Sequence, residues 1–233
     1  MSPRPRREER HPDLYNAIKD TAWKQIAKFG ASALNLRAIA RELGITAPSI
    51  YNYYPSRDDL VTALIVDAFT SLAEAQEAAI ECNAAESLTA QFVALGNAYR
   101  DWVIAYPQRY QLIFGTPIPH YHAPDDVTAP AASRALVPLT RVIQNLYAAG
   151  MLRTDRLAKM SEKLKTMLIA WQQLEGGSDL EVLFLTLICW SRLHGIVGLE
   201  IGHQFPPCFD DPAEVFRREM NNIVIQYLGV QDV

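Results

Sequence analysis

An all-α fold of about ten helices is the architecture this sequence predicts. Apolar residues recur with a 3.6-residue period in nearly every segment, no alternating β-branched run marks a strand, and glycine, proline and capping residues punctuate the chain at helical spacing. With 233 residues, 49% of them hydrophobic, the chain is long enough to bury a sizeable core, as one large domain or as a small domain joined to a larger one.

The first helix is expected from about Asp13 to Phe29, where Leu14, Ile18, Ala22, Ile26 and Phe29 share a face and Gly30 can take the left-handed cap. Asn35 can N-cap a second helix, LRAIAREL, whose Leu36, Ile39, Ala40 and Leu43 face inward before Gly44 ends it. Thr46 can cap a third helix of about two turns, with Pro48 tolerated because first-turn amides have no intrahelical partner. Ser56 to Asp59 reads S-x-x-D, a capping-box start for a long fourth helix through Leu60, Leu64, Ala68 and Leu72.

A fifth helix carries Leu88, Phe92, Leu95, Tyr99, Trp102, Val103 and Tyr106 up to Pro107, and QRYQLIFG is a short sixth. Pro117, Pro119, Pro124 and Pro130 predict a long irregular loop from Gly115 to Pro130. A seventh helix then runs to Ala149 with Leu139, Ile143 and Leu146 inward, and an eighth runs from Leu157 to Leu174, stopped by Gly176 and Gly177. SDLE at 178–181 and DPAE at 211–214 read as the starts of a ninth and a tenth helix.

Net charge is −4, but its distribution is uneven: residues 1–60 hold ten Lys/Arg against seven Asp/Glu, and the rest hold 12 against 19. A basic head on an acidic body fits a polyanion at one end. The longest apolar run, VLFLTLICW, stops at Ser191 and Arg192, short of the roughly 18 residues of a membrane span. The opening MSPRPRREERHPDLY has no apolar stretch behind it, so no secretory signal is expected and the cytoplasm is the expected compartment. Cys82, Cys189 and Cys208 form no metal or disulfide pattern and are expected to be buried free thiols. His120, His122, Asp125, Asp126, His194 and His203 show no recognised zinc spacing, and no nucleophile elbow, phosphate loop or metalloprotease motif occurs; no metal, no cofactor and no catalysis are expected.

Two short helices about a glycine-containing turn, LRAIARELGITAPSIYNYY, match the helix-turn-helix pattern, whose second helix enters the major groove of DNA. Ile50 and Tyr54, four apart, share the inward face; Ala47, Pro48, Tyr51 and Asn52 project the other way. On DNA, Ala47 and Pro48 can press on thymine methyls, and Ser49, Tyr51 and Asn52 can reach base edges or phosphates. Thr46 and Tyr53 offer hydroxyls to phosphate, Arg57 a charge beside the backbone, and Arg37 a guanidinium for a phosphate or a guanine edge.

The stretch LRAIARELGITAPSIYNYYPSRDDLVTAL resembles the N-terminal domain of the TetR/AcrR family of bacterial transcriptional regulators, over roughly residues 13–69 and without a gap. That family often has His, Phe and Lys where Tyr53, Tyr54 and Arg57 stand, changes that keep each implied role, whereas Asn52 is less aromatic than in many members. WSRLHGIVGLEIG, from Trp190 to Gly202, resembles the subgroup with a Trp-His-Gly (WHG) signature.

The resemblance implies a basic arm over residues 1–12, a DNA-binding domain over 13–69 and a ligand-binding and dimerisation domain over 70–233. It implies a homodimer on double-stranded operator DNA and a hydrophobic or aromatic small-molecule effector. Candidate effector contacts are Tyr99, Trp102, Tyr106, Phe114, Trp171, Trp190 and His194, since aromatics with polar tips suit a mostly apolar molecule. The ninth helix is apolar nearly all round and so needs cover on more than one side. Leu185, with Phe216, Met220, Ile223 and Tyr227 of the tenth helix, is the candidate dimer surface. The loop at 115–130 is either a lid or, the favoured reading, a disordered connection. The function expected is a ligand-responsive regulator, repressor rather than activator, with an all-helical small-molecule-binding protein or enzyme as the alternative.

Overall fold

The computed structural model describes residues 12–157, 159–175 and 177–228; the basic arm up to residue 11 and Gly176 lie outside the described residues. Among the described residues there are ten α-helices and no strand. They are α1 (Pro12–Phe29), α2 (Leu36–Glu42), α3 (Ala47–Tyr51), α4 (Arg57–Cys82), α5 (Leu88–Ala105), α6 (Pro107–Phe114), α7 (Asp125–Ala148), α8 (Glu162–Glu175), α9 (Leu180–Ile201) and α10 (Pro212–Ile223). A π-turn, Val224–Leu228, continues α10. The chain falls into two compact units, one spanning the chain to Thr70 together with Tyr106–Ala132, the other Ser71–Ala105 together with the chain from Ser133 onward. Helices α4 and α7 each contribute to both.

In the first unit, α1 presents Ile18, Ala22 and Ile26, α2 presents Leu36, Ile39 and Ala40, and α4 presents Leu60, Leu64 and Ala68 to one buried cluster that also takes Ile50 and Tyr54. Gly30 and Gly44 sit at φ 80° and 67°, where a side chain would be strained, and end α1 and α2 as their positions predict. Helix α1 is pinned to α4 by one carboxylate: Lys19 Nζ lies 2.6 Å and Trp23 Nε1 3.2 Å from Asp67. Over the Trp23 indole stands the guanidinium of Arg109 from α6, 5.2 Å from the ring centroid and 4.8 Å from that of Tyr106. The α4 start closes as a capping box, with Asp59 accepting from Ser56 N at 2.8 Å and Ser56 Oγ at 2.7 Å.

In the second unit, α9 packs on α5, α8 and α10. Phe92, Leu95 and Val103 of α5 and Leu183, Cys189, Leu193 and Val197 of α9 are buried, as are Phe216, Met220 and Ile223 of α10. Arg100 forks onto Glu200 at 2.9 and 2.5 Å, and Arg192 pairs with Glu219 of α10. Gly96 is a close-approach site, since a Cβ there would lie 2.7 Å from the Met220 Sδ and Cε. A methionine end can shift by tenths of an ångström, so Gly96→Ala is expected to cost little, whereas Gly96→Leu overfills a closed core by about 1–3 kcal/mol. Urea denaturation of the two variants checks the difference.

Four local expectations are corrected. Helix α7 begins at Asp125, so Pro130 lies inside a helix rather than in a loop, as does Pro138. Each proline forfeits an i→i−4 bond, and burial of Leu139, Val142, Ile143 and Leu146 on the same helix outweighs that local cost. Helix α8 starts at Glu162 instead of Leu157, behind a 3-10 turn at Thr154–Arg156. The box expected at 178–181 does not form: Asp179 makes no side-chain cap, its carboxylate taking Gln144 Nε2 at 3.2 Å instead. Of the three cysteines only Cys189 is buried, its thiol pushed up to about 12 by desolvation, whereas Cys82 and Cys208 are exposed.

By length and composition α9 could cross a membrane, although no uninterrupted apolar run in it reaches a full span. Its role in the described structure is that of a packed helix with three helical neighbours.

Candidate nucleic-acid interface

The helix-turn-helix is assembled by local chemistry. Asn35 Oδ1 accepts from Arg37 N at 2.9 Å and Ala38 N at 3.1 Å, satisfying two orphan amides at the α2 start. Thr46 satisfies one such amide at the α3 start, Ser49 N at 3.3 Å, and its hydroxyl also meets the Ser49 hydroxyl at 2.8 Å. Thr46 and Ser49 are therefore held by each other before any partner arrives.

Burial sorts the α3 region as helical geometry predicts. Ile50 is inaccessible and Tyr54 retains 3% of its surface, its ring tilted against that of Tyr15 at 5.2 Å, whereas Tyr51 is 39% exposed. Thr46, Pro48 and Asn52 are exposed with it, and Ala47, Ser49 and Tyr53 are half-exposed. Tyr53 rests its ring on the edge of the core cluster. Arg37 is exposed on the first turn of α2, and Arg41, a site residue that no local motif singles out, is exposed on its last turn. Arg57 is more constrained than its sequence suggests: Nη2 donates to the carbonyls of Ala31 at 3.2 Å and Ser32 at 3.4 Å, and Nη1 meets Asp58 at 3.4 Å. It braces the turn between α1 and α2.

The residues expected at an effector site divide between the units. In the second, Tyr99 Oη lies 2.7 Å from His194 Nδ1, and the Trp190 ring is 5.4 Å from that imidazole. Trp102 Nε1 donates to Ser71 Oγ at 3.0 Å, and Trp171 is half-buried. Burial holds His194 below the usual histidine range, so the ring is neutral where it meets Tyr99. In the first unit, Tyr106 carries Arg109 on its face, and Phe114 packs between Phe69 and Tyr110.

The residues expected at a dimer surface are interior to the chain itself. Leu185, Phe216, Met220, Ile223 and Tyr227 keep no more than 7% of their surface, because the single apolar face of α10 closes onto α9. What α9 leaves exposed is a different stripe: Leu187, Ser191, Gly195 and Leu199, flanked by half-exposed Phe184 and Ile188. A Cβ on Gly195 would meet nothing within 4 Å.

A cavity of about 410 Å³ lies wholly in the first unit. Ile65 and Phe69 of α4 and Leu112 and Ile113 of α6 form much of its apolar wall; the 115–124 loop, with Tyr121, and the start of α7, with Asp125, Thr128 and Ala129, line the rest. That loop is described and ordered into structure: Ile118 and Tyr121 pack on the helix-turn-helix core, and Tyr121 Oη lies 2.8 Å from Thr62 Oγ1 of α4. None of the seven aromatic and histidine residues expected at an effector site lines this cavity.

A capped helix-turn-helix with a buried seam and an outward face of hydroxyls, amide and arginines, followed by a helical body, defines a DNA-binding transcriptional regulator. Residues 18–64 match the domain described as bacterial regulatory proteins, tetR family, and residues 92–223 match the tetracyclin repressor-like C-terminal domain. The chain belongs to the TetR family of bacterial regulatory proteins. It is 32% identical over 226 residues to the HTH-type transcriptional regulator Rv1816 of Mycobacterium tuberculosis, covering 94% of each chain, and to the same extent to the regulator Mb1846 of Mycobacterium bovis. Among solved structures, the regulatory protein SCO4313 superposes with a TM-score of 0.77 at 35% identity over 94% of this chain and 99% of that one. A protein of unknown function from Rhodococcus sp. RHA1 shares the fold, with a TM-score of 0.72 at 22% identity over 96% and 100%.

Proposed function

We propose that the chain is a ligand-responsive repressor that acts in the cytoplasm, without catalysis, binding a pseudo-palindromic operator as a homodimer. The observation that carries this reading is the sorting around α3: Ile50 and Tyr54 are buried in the core, whereas Thr46, Pro48, Tyr51 and Asn52 are exposed on the side that would face a groove. Arg37 and Arg41 on α2 flank that face with positive charge for phosphates. The homodimer seats a mate on the exposed α9 stripe, where Ser191 and Gly195 allow close approach and Leu187 and Leu199 supply apolar cover.

The effector site is the cavity walled by α4, α6 and α7. Its wall residues Ile65 and Phe69 bracket Asp67, the carboxylate that holds Lys19 and Trp23 of α1, and its α6 wall shares a helix with Arg109, stacked on the same Trp23. A ligand that parts α4 from α6 therefore bears on the helix that supports α2 and α3, and it shifts the population away from the DNA-competent arrangement to the extent that it prefers the other.

A mobility-shift titration on the DNA upstream of the chain's own coding sequence tests the reading. The expected result is a salt-sensitive complex with two protomers per site that competes poorly with random duplex. Equal affinity for random duplex overturns it.

A further inference from the structure

The cavity walled by α4, α6 and α7 has a polar inventory that selects one class of ligand. Three lining side chains carry polar atoms: Tyr121, Asp125 and Thr128. The Thr128 hydroxyl proton goes to the Pro124 carbonyl at 3.0 Å. The Thr62 hydroxyl proton goes to the Asp58 carbonyl at 2.9 Å, so in the 2.8 Å contact between Thr62 and Tyr121 the phenol is the donor. Burial raises the Tyr121 phenol above its usual range and Asp58 reinforces the shift, so its proton stays on. Both hydroxyl protons are thus consumed, and what the polar side chains offer the cavity is lone pairs and a carboxylate.

No Lys, Arg or His is found among the described residues that line it. The positive end of α7 opens beside Asp125, but Asp125 and Asp126 already occupy its first turn, and Pro124 O takes the amides of Val127 and Thr128. Phe69 and Tyr121 add two aromatic rings to the wall. An anion entering this space meets acceptors and like charge. A protonated amine meets acceptors for its N–H groups, aromatic rings and an opposite charge at the exposed mouth.

Resting on the effector-site reading above, we propose that this cavity takes a lipophilic ammonium: an apolar body against Phe69, Leu112 and Ile113, and a protonated primary or secondary amine directed to Asp125. Its volume of about 410 Å³ lies within the range of small-molecule sites and suits a compact ligand.

Isothermal titration of the full-length protein with three probes of one shape, phenylbutylamine, phenylbutanol and phenylbutyrate, separates the possibilities. The amine is expected to bind about tenfold tighter than the alcohol, and the acid weakest. Asp125→Asn, at an exposed position where folding is not at stake, is expected to bring the amine to the affinity of the alcohol and leave the alcohol unchanged. Ala129→Trp, which fills the mouth, is expected to weaken all three, with circular dichroism reporting that the helices persist.

An acid that binds as tightly as the amine, or an amine-to-alcohol ratio untouched by Asp125→Asn, overturns the ligand class while leaving the cavity as the effector site. Binding of all three probes indifferent to Ala129→Trp, or no binding by any of them, overturns the effector-site reading and the ligand class with it.

Discussion

Leu187→Arg and Leu199→Arg are each expected to turn the dimer into a folded monomer and to lower operator affinity by about 10²–10⁴-fold. These leucines are 37% and 41% exposed on α9, so arginine at either position costs the chain's own core little. At a twofold contact each substitution appears twice, placing like charges and unsatisfied guanidinium groups where two helices should close over Gly195. Each helix-turn-helix would still reach one half-site, but without the second attached the gain from linkage is lost, which sets the size of the effect. Light scattering after size exclusion reads the mass, and fluorescence anisotropy on the operator reads the affinity. By contrast, Phe216→Arg on the buried face of α10 should fail to fold, because Phe216 keeps 1% of its surface.

Tyr51→Ala is expected to flatten the preference for operator over random duplex by about 1–3 kcal/mol per site while leaving the melting temperature nearly unchanged. Tyr51 projects from a helix whose inward residues are Ile50 and, beyond it, Tyr54, so its loss removes a reading group and little packing. Tyr54→Ala should do the reverse, costing about 3–5 kcal/mol of stability as a large buried ring is deleted. Arg57→Ala separates the two kinds of contact further. It should weaken all duplexes similarly and also lower the melting temperature, because its guanidinium donates to the Ala31 and Ser32 carbonyls that shape the entry to α2. Anisotropy titrations on operator and random duplex, paired with thermal melts, check all three variants.

The parts of this molecule legible in the sequence are those set by neighbours along the chain. Asn35, Thr46, the Ser56–Asp59 box and the glycines after α1 and α2 act over three or four residues, and each does what its position predicts. The inward turn of Ile50 and Tyr54 follows from helical spacing alone.

What was not legible depends on partners far along the chain. Pro130 reads as a breaker until the burial of Leu139 and Leu146 downstream is known, and Asp179 reads as a cap until Gln144 is placed beside it. The apolar residues of α10 read as cover for a second chain because nothing local reveals that α9 already covers them. The exposed stripe of α9 was hidden by a helix that is apolar almost everywhere, so only the folded neighbours show which side stays open. The cavity depends on Tyr121, a single aromatic in a proline-rich loop, meeting Thr62 from 59 positions away. No periodicity carries that contact.

The central claim is that α3 reads sequence as half of a symmetric pair. Selection of bound duplexes from a random pool, followed by sequencing, tests it most directly. The account predicts an enriched inverted repeat whose half-sites lie about one helical turn or a multiple apart, with enrichment lost in Tyr51→Ala. A selected pool without dyad symmetry, or one that Tyr51→Ala enriches identically, would contradict it.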